Sequence, residues 1–280
     1  MNSIIEKTLN VVANGKGGEG KSTVTAATED WLCYQDINHA LLDCDDNRSL
    51  TKMHPQAQPH RIKSTDDIQS LIAKILESNV TVADTPANIT SEIMALFSHV
   101  QFGTALEAIN AKLVILVPVS ASDAASFEEV ARLVAAIEKG ADYVVVKNEK
   151  NGSDFAQFEQ SIARQSLRAV GASHEIRFPR FEDKLQSELN SRRMSLAQFI
   201  GYYWGLQKSD PRGFFNLTFF AQMATKHLKI IFMGLNQIAP ILLPTTSVAK
   251  IREITSEGIK TTCCQAWEKK QAAKQKENQI

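Results

Sequence analysis

The segment Asn14-Gly15-Lys16-Gly17-Gly18-Glu19-Gly20-Lys21-Ser22-Thr23 satisfies the spacing G-x-x-x-x-G-K-[ST], an order of residue types that can wrap a chain of phosphates. Backbone N–H groups must come close to the phosphate oxygens. A Cβ would stand in their way, and glycine reaches the dihedrals that the wrap requires. Lys21 would neutralise the β- and γ-phosphates, Ser22 would ligate Mg²⁺, and Thr23, at the start of a helix, would donate to the α-phosphate. Such a loop also needs carboxylates at the ends of neighbouring strands. Asp84 follows the apolar stretch Val80-Thr81-Val82-Ala83 and suits the magnesium shell. Asp43 and Asp45 follow Leu41-Leu42, in place to orient a metal-bound water and the attacking water respectively. Asp46 beside them reads as an ordinary turn residue.

These groups meet only if the chain carries them to one edge of a sheet. Residues 8–13 form a short apolar run that stops at the glycine-rich turn, and residues 22–34 carry helix formers. Residues 39–42 predict a second strand that delivers the acidic cluster. Residues 66–77 place Ile68, Leu71, Ile72 and Ile75 at helical spacing, and 80–83 lead into Asp84-Thr85-Pro86. The unbroken run from Leu113 to Val117 makes 112–119 a strand buried on both faces. A helix over 122–139 and a strand over 142–146 follow, ending at Lys147-Asn148. This alternation predicts a doubly wound α/β fold, a mostly parallel sheet with helices on both faces. Further on we expect a helix over 153–165, a strand over 174–178, a helical turn or two over 182–190, and a long helix over 217–237 stopped by Pro240 and Pro244. Residues 1–237 then form one nucleotide-binding domain. Residues 238–280 form a basic, partly helical extension, frayed or disordered from Ala266 onward.

The order of motifs resembles that of the ParA/MinD superfamily of deviant Walker A ATPases, which have the P-loop NTPase fold. Lys16, within Lys-Gly-Gly-x-Gly-Lys-Ser, looks like the signature lysine of that group. Leu41-Leu42-Asp43-Cys44-Asp45 resembles its switch I segment, and Ala83-Asp84-Thr85-Pro86 its switch II. The resemblance implies that ATP and Mg²⁺ are the cofactors, with Gly15, Gly17, Gly18, Glu19 and Gly20 around the phosphates. It makes Asn148 a contact to the adenine and places Pro179, in Phe178-Pro179-Arg180, in a second base-contacting loop. It further implies a homodimer formed on ATP binding, in which Lys16 reaches the phosphates of the partner subunit, Asp45 positions the attacking water, and hydrolysis is slow and dimer-dependent. Glu19 stands where the family has a small apolar residue, and its carboxylate faces either the phosphates and dimer interface or water. The run Asp43-Cys44-Asp45-Asp46-Asn47 is similar to plasmid-encoded members such as StbB and TraL. That likeness implies a role in plasmid partition, stability or conjugative transfer, with non-specific DNA and a hydrolysis-stimulating adaptor as partners, in the bacterial cytoplasm at the nucleoid.

The 280 residues hold 31 basic and 31 acidic side chains, with 44% hydrophobic and 22% charged residues. This composition is that of a globular chain and excludes a collagen-like, disulfide-dense or wholly disordered one. The zero net charge is uneven. Residues 161–193 and 248–280 each carry seven basic against four acidic side chains. In ParA-like dimers such later segments meet DNA, which singles out Arg164, Arg168, Arg192 and Arg193 as phosphate contacts, against the alternative of a solvated helix face. No run approaches the ~18 apolar residues of a membrane span, and the resemblance to MinD gives only a broken basic amphipathic stretch around Val248, Ile251 and Ile254, so we do not expect membrane attachment. The aromatics Phe214, Phe215, Phe219 and Phe220 read as core or a subunit contact. Cys33, Cys44, Cys263 and Cys264 show no zinc spacing and read as reduced thiols.

Overall fold

The computed structural model describes residues 5–87, 102–137, 140–209 and 215–277. Its centre is a seven-stranded sheet of β1 (Lys7–Val12), β2 (His39–Asp43), β3 (Gln58–Pro59), β4 (Val80–Asp84), β5 (Ala111–Val119), β6 (Asp142–Asn148) and β7 (His174–Phe178). The strands lie in the order β3-β2-β4-β1-β5-β6-β7 and every pairing is parallel. Both faces are covered, and successive side chains of a strand go to opposite faces. The run in β5 is divided in this way. Val114 and Leu116 enter one core, whereas Leu113, Ile115 and Val117 enter the other.

Helices α1 (Lys21–Gln35), α2 (Ser49–Met53), α3 (Thr65–Glu77), α4 (Phe102–Ala108) and α5 (Ala124–Ile137) follow the chain through its first half. In α3 the Ser64 hydroxyl caps the first turn by accepting from the Asp67 N–H at 3.2 Å, Asp66 and Asp67 oppose the dipole, and Ile68, Leu71 and Ile75 form the buried stripe. The expected helix over 153–165 is two pieces, α6 (Ala156–Glu159) and α7 (Ile162–Ala169). Ser161 divides them, because its hydroxyl both donates to Phe158 O at 2.7 Å and accepts from the Arg164 N–H at 3.3 Å.

The second half contains α8 (Asp183–Arg192), α9 (Leu196–Ser209), α10 (Phe215–Gln237), α11 (Ala239–Leu242), α12 (Thr245–Val248) and α13 (Ser256–Glu277). Two expectations are corrected here. The frayed end is a helix that continues through Glu277, and α9, absent from the sequence reading, is its bed. Gly201 and Gly205 sit one turn apart on α9. A Cβ at 201 would collide with the Cys263 carbonyl of α13, and one at 205 would lie 2.7 Å from the Trp267 ring. Tyr202 packs edge-on against Trp267 at 5.2 Å. The expected boundary at residue 237 also separates nothing in the packing. Leu228, Ile231 and Leu235 share one core with Ile238, Leu242, Leu243, Ile254 and Ile259, while Thr8 Oγ1 and Asn10 Nδ2 of β1 donate to Leu242 O at 2.8 and 3.0 Å. Of the aromatic group, Phe220 packs on this core and Phe219 is exposed, whereas Phe214 and the side chain of Phe215 lie outside the described residues. No helix among the described residues is long and apolar enough to cross a membrane.

Candidate functional site

Register decides what meets at the C-terminal edge of the sheet. Val12, the last residue of β1, pairs with Asp84, and Asp84 pairs in turn with Asp43. Asn148 at the end of β6 pairs with Phe178 at the end of β7. The loop between β1 and α1 thus lies between two carboxylate strands on one side and the 148 and 178–181 walls on the other. It opens into a cleft of about 600 Å³ lined by Gly20, Lys21, Ser22, Asp45, Asn148 and Pro179 among others, a size within the range of nucleotide-sized sites.

The loop is held from below by Asn14, to which the spacing of the motif assigns no role. Its buried amide donates to Pro118 O at 2.7 Å and Ser126 Oγ at 2.9 Å, and its Oδ1 accepts from the Lys16 N–H at 2.8 Å. Gly20 adopts φ 91°, and a Cβ there would lie 2.5 Å from Asn148 Nδ2, so both conformation and space demand glycine. Lys21 Nζ is curled into the loop and donates to Asn14 O and Lys16 O, both at 3.0 Å. Burial lowers its pKa, against the charges of Asp84, Asp45 and Glu19. A cation held only by carbonyls and partly desolvated is prepared to exchange them for phosphate oxygens.

Asp84 is fully buried. Its Oδ1 accepts from Thr25 Oγ1 at 3.1 Å, a partner one turn along α1 that the motif does not include. Burial pushes its pKa up to about 6, opposed by hydrogen bonds from Ser22 and Thr25, with Asp43 adding to the rise and Lys21 opposing it. Asp84 Oδ2 has no hydrogen-bond partner among the described residues. An orphaned carboxylate oxygen beside a serine hydroxyl is a donor set that fits Mg²⁺, a hard cation taking oxygen ligands. Asp43 is occupied otherwise. Its Oδ2 accepts from Thr51 N–H at 2.8 Å and Thr51 Oγ1 at 2.6 Å, and its Oδ1 from Asp45 N–H at 3.3 Å, so it fastens the 45–51 segment to β2. Asp45 lines the cleft, with Oδ1 accepting from the Asn47 N–H at 3.1 Å. Asp46 is an exposed turn residue paired with Lys63 at 3.0 Å.

Glu19 does not point to water. It is 5% exposed and turns into the protein, accepting from Ser120 N–H at 2.9 Å, and burial raises its pKa. Its carbonyl accepts from Asn148 Nδ2 at 2.9 Å. Lys16 leaves the loop and pairs with Asp123 at 2.8 Å, a partner that nothing in the motif indicates because it follows β5. The four arginines differ in exposure and partners. Arg164 is 12% exposed, paired with Glu159 at 3.1 Å and with Glu175, so its guanidinium belongs to the fold and is not offered to a polyanion. Arg168 is exposed and joins Glu159 at 3.1 Å. Arg192 pairs with Glu188 at 3.0 Å and stacks on Tyr202, and Arg193 is the exposed left-handed cap of α8.

Comparison with known proteins agrees with this geometry. The model of the CobQ/CobB/MinD/ParA nucleotide binding domain matches residues 10–260. The ParA protein of Rhizobium radiobacter is 37% identical over 71 residues, 25% of this chain and 32% of that protein. A Halobacterium salinarum protein, named provisionally as an arsenical pump-driving ATPase, is 30% identical over 109 residues, 39% of this chain and 17% of its own length. The matched segments therefore span less than a third of either relative. Among solved structures, the MinC:MinD cell division protein complex of Aquifex aeolicus shares the fold with a TM-score of 0.50 at 16% identity, covering 89% of this chain and 100% of that one. With nine-tenths of its length matched by the family model, the phosphate loop and Asp45 lining one cleft, and Asp84 buried at the end of the neighbouring strand β4, the chain belongs to the CobQ/CobB/MinD/ParA nucleotide-binding family of P-loop ATPases.

Proposed function

We propose that this protein is an ATP-dependent dimerising switch that serves plasmid partition, stability or conjugative transfer, acting through non-specific DNA and an adaptor that stimulates hydrolysis. The observation that carries the reading is the position of Lys16. It stands in the phosphate loop, yet its ammonium is directed away from the loop's interior and held at the rim by Asp123. The interior is served by Lys21. Two lysines in one loop, one turned in and one out, suit a site in which the second cation is supplied across a subunit interface, as an arginine finger is.

In this mechanism the N–H groups of residues 15–22 and Lys21 bind and orient the triphosphate. Asp84 and Ser22 hold Mg²⁺, which supplies charge neutralisation at the phosphates when bound. Asp45 orients the attacking water, Lys16 from the partner subunit stabilises charge on the transferring group, and Asn148 and Pro179 border the space for the base. The bacterial DNA surface is supported over a lipid one by α13, whose Ile259 and Cys263 are buried in the core instead of forming a free amphipathic face.

The test is ATP turnover with light scattering. Lys21→Ala is expected to abolish turnover. Lys16→Ala is expected to keep nucleotide binding by the monomer while losing the ATP-induced dimer and its hydrolysis; an unchanged dimer with persistent turnover would overturn the trans role of Lys16. Mobility shifts on non-specific DNA should require ATP and weaken with salt. DNA affinity indifferent to both refutes the DNA-positioning role.

A further inference from the structure

At the end of α1 remote from the phosphate loop, three residues that share no metal-binding spacing in the sequence come together. Glu29 and Cys33 lie one helical turn apart, and the left-handed Asp36, φ 57°, ends the helix and returns the chain into β2, whose first residue is His39. Glu29 Oε2 lies 2.6 Å from His39 Nε2, and Glu29 Oε1 lies 3.5 Å from Cys33 Sγ. The carboxylate oxygen, the thiol sulfur and the imidazole nitrogen all fall within 4.8 Å of one another. A tetrahedral zinc site, with metal–sulfur near 2.3 Å and metal–nitrogen or –oxygen near 2.0–2.1 Å, spaces its ligand atoms by roughly 3.3–3.7 Å. The cluster needs only small side-chain adjustments to reach that spacing.

The surroundings have the form of a supporting shell. His39 Nδ1 lies 2.6 Å from Ile37 O, so Nδ1 carries the proton and donates to that carbonyl, which leaves Nε2 directed at the cluster. Gln56 Nε2 donates to Glu29 Oε1 at 3.0 Å and orients the carboxylate. Such outer contacts fix the tautomer and direction of metal ligands. A second, independent observation points into the same place. His54 Nε2 belongs to a side chain 2% exposed and has no hydrogen-bond partner among the described residues, the nearest charge being the Asp30 carboxylate at 3.9 Å. Glu29, Cys33 and His54 line a cavity of about 330 Å³, which can hold the water needed to complete four-coordination.

We propose that Glu29, Cys33 and His39 bind one divalent cation of the zinc class, with a water from the adjoining cavity as fourth ligand. Carboxylate, thiolate and neutral imidazole around a divalent ion sum to no net charge, the arrangement that a buried site tolerates best. Binding expels the thiol proton and any proton on His39 Nε2 to solvent, and the two lone pairs so freed form the metal–sulfur and metal–nitrogen bonds. The cation would tie α1, which begins with the phosphate loop, to β2, which ends at Asp43.

The probe is cobalt(II), titrated into the full, reduced chain purified free of metal. One equivalent is expected to produce a near-ultraviolet thiolate-to-cobalt charge-transfer band, which zinc then removes. Cys33→Ser, at an exposed position where the fold is not at risk, should abolish the band and weaken zinc binding at least tenfold; Cys264→Ser should change neither. The proposal fails if the unmodified chain gives no such band, if the band survives in Cys33→Ser, or if it is lost in Cys264→Ser. None of these readouts depends on ATP turnover, so the result stands apart from the proposed switch.

Discussion

Lys16 and Asp123 form a clasp within one subunit, and the proposed dimer requires that clasp to open. Each Lys16 must exchange Asp123 for the phosphates bound opposite, so Asp123 competes with dimer formation. The hydrogen bond to Asp123 raises the Lys16 pKa, which keeps the side chain a cation throughout. Asp123→Ala is therefore expected to speed ATP-induced dimerisation and turnover, by only a few-fold because a partly exposed pair is screened by water. A slower variant in stopped-flow light scattering would show that Asp123 instead guides Lys16 into place. At this scale the sequence was informative wherever a residue's role follows from its own motif. Lys21 in the loop and the inward-facing Asp84 are of that kind. It was silent where the partner comes from a distant strand, as Asp123 and Ser120 do from beyond β5. For that reason the direction of Glu19 stayed open until the Ser120 N–H was seen to receive it. The trio of Glu29, Cys33 and His39 was hidden for the same reason, since only the turn at Asp36 brings the histidine back to the helix.

Among the elements, α7 illustrates how a basic segment is read one way as a sequence and another way as a fold. Arg164 and Arg168 suggested a DNA-facing helix, but Glu159 from α6 and Glu175 from β7 meet them, together with Lys147 from β6 at 2.8 Å from Glu159. These ion pairs hold α6 and α7 against the edge of the sheet. Burial opposes ionisation of Glu159, yet Lys147, Arg164 and Arg168 outweigh it and hold the carboxyl below its usual range. A depressed carboxylate contributes stability that is complete above its unfolded value and is lost as pH falls through the folded one. Chemical-denaturation stability should then drop below about pH 4.5, the reference value for glutamate, and Glu159→Gln should flatten that acid limb while lowering stability at pH 7. Equal slopes in both proteins would remove the network from the account of acid stability. Helix α9 escaped the sequence reading for a related reason. Gly201 and Gly205 lower local helix propensity, and their purpose is visible only once Trp267 and Cys263, some sixty residues later, are found against them.

Across the whole molecule, the parallel sheet and both covering layers followed from the alternation of apolar runs and helical stripes, because each run is short, bounded and of one period. What did not follow was the closing of the fold by residues 238–277. Their polar composition suggested a tail, since α13 buries only a narrow stripe and leaves the rest of its surface to solvent. That stripe nonetheless completes the core on one face of the sheet, and Leu242 O satisfies two polar side chains of the central strand. Removing residues 238–280 would leave Thr8 Oγ1 and Asn10 Nδ2 without an acceptor, each costing about 1–3 kcal/mol. It would also strip the packing of Ile238, Leu242, Leu243, Ile254 and Ile259, with roughly 1.5–3 kcal/mol associated with burying each such side chain. The combined loss is of the order of a domain's entire stability, about 5–15 kcal/mol. The chain 1–237 should accordingly show no cooperative thermal transition by circular dichroism, and no ATP binding, although it retains every phosphate-loop residue. A sharp melt close to that of the full chain would establish residues 238–280 as a dispensable appendage and return the core boundary to Gln237.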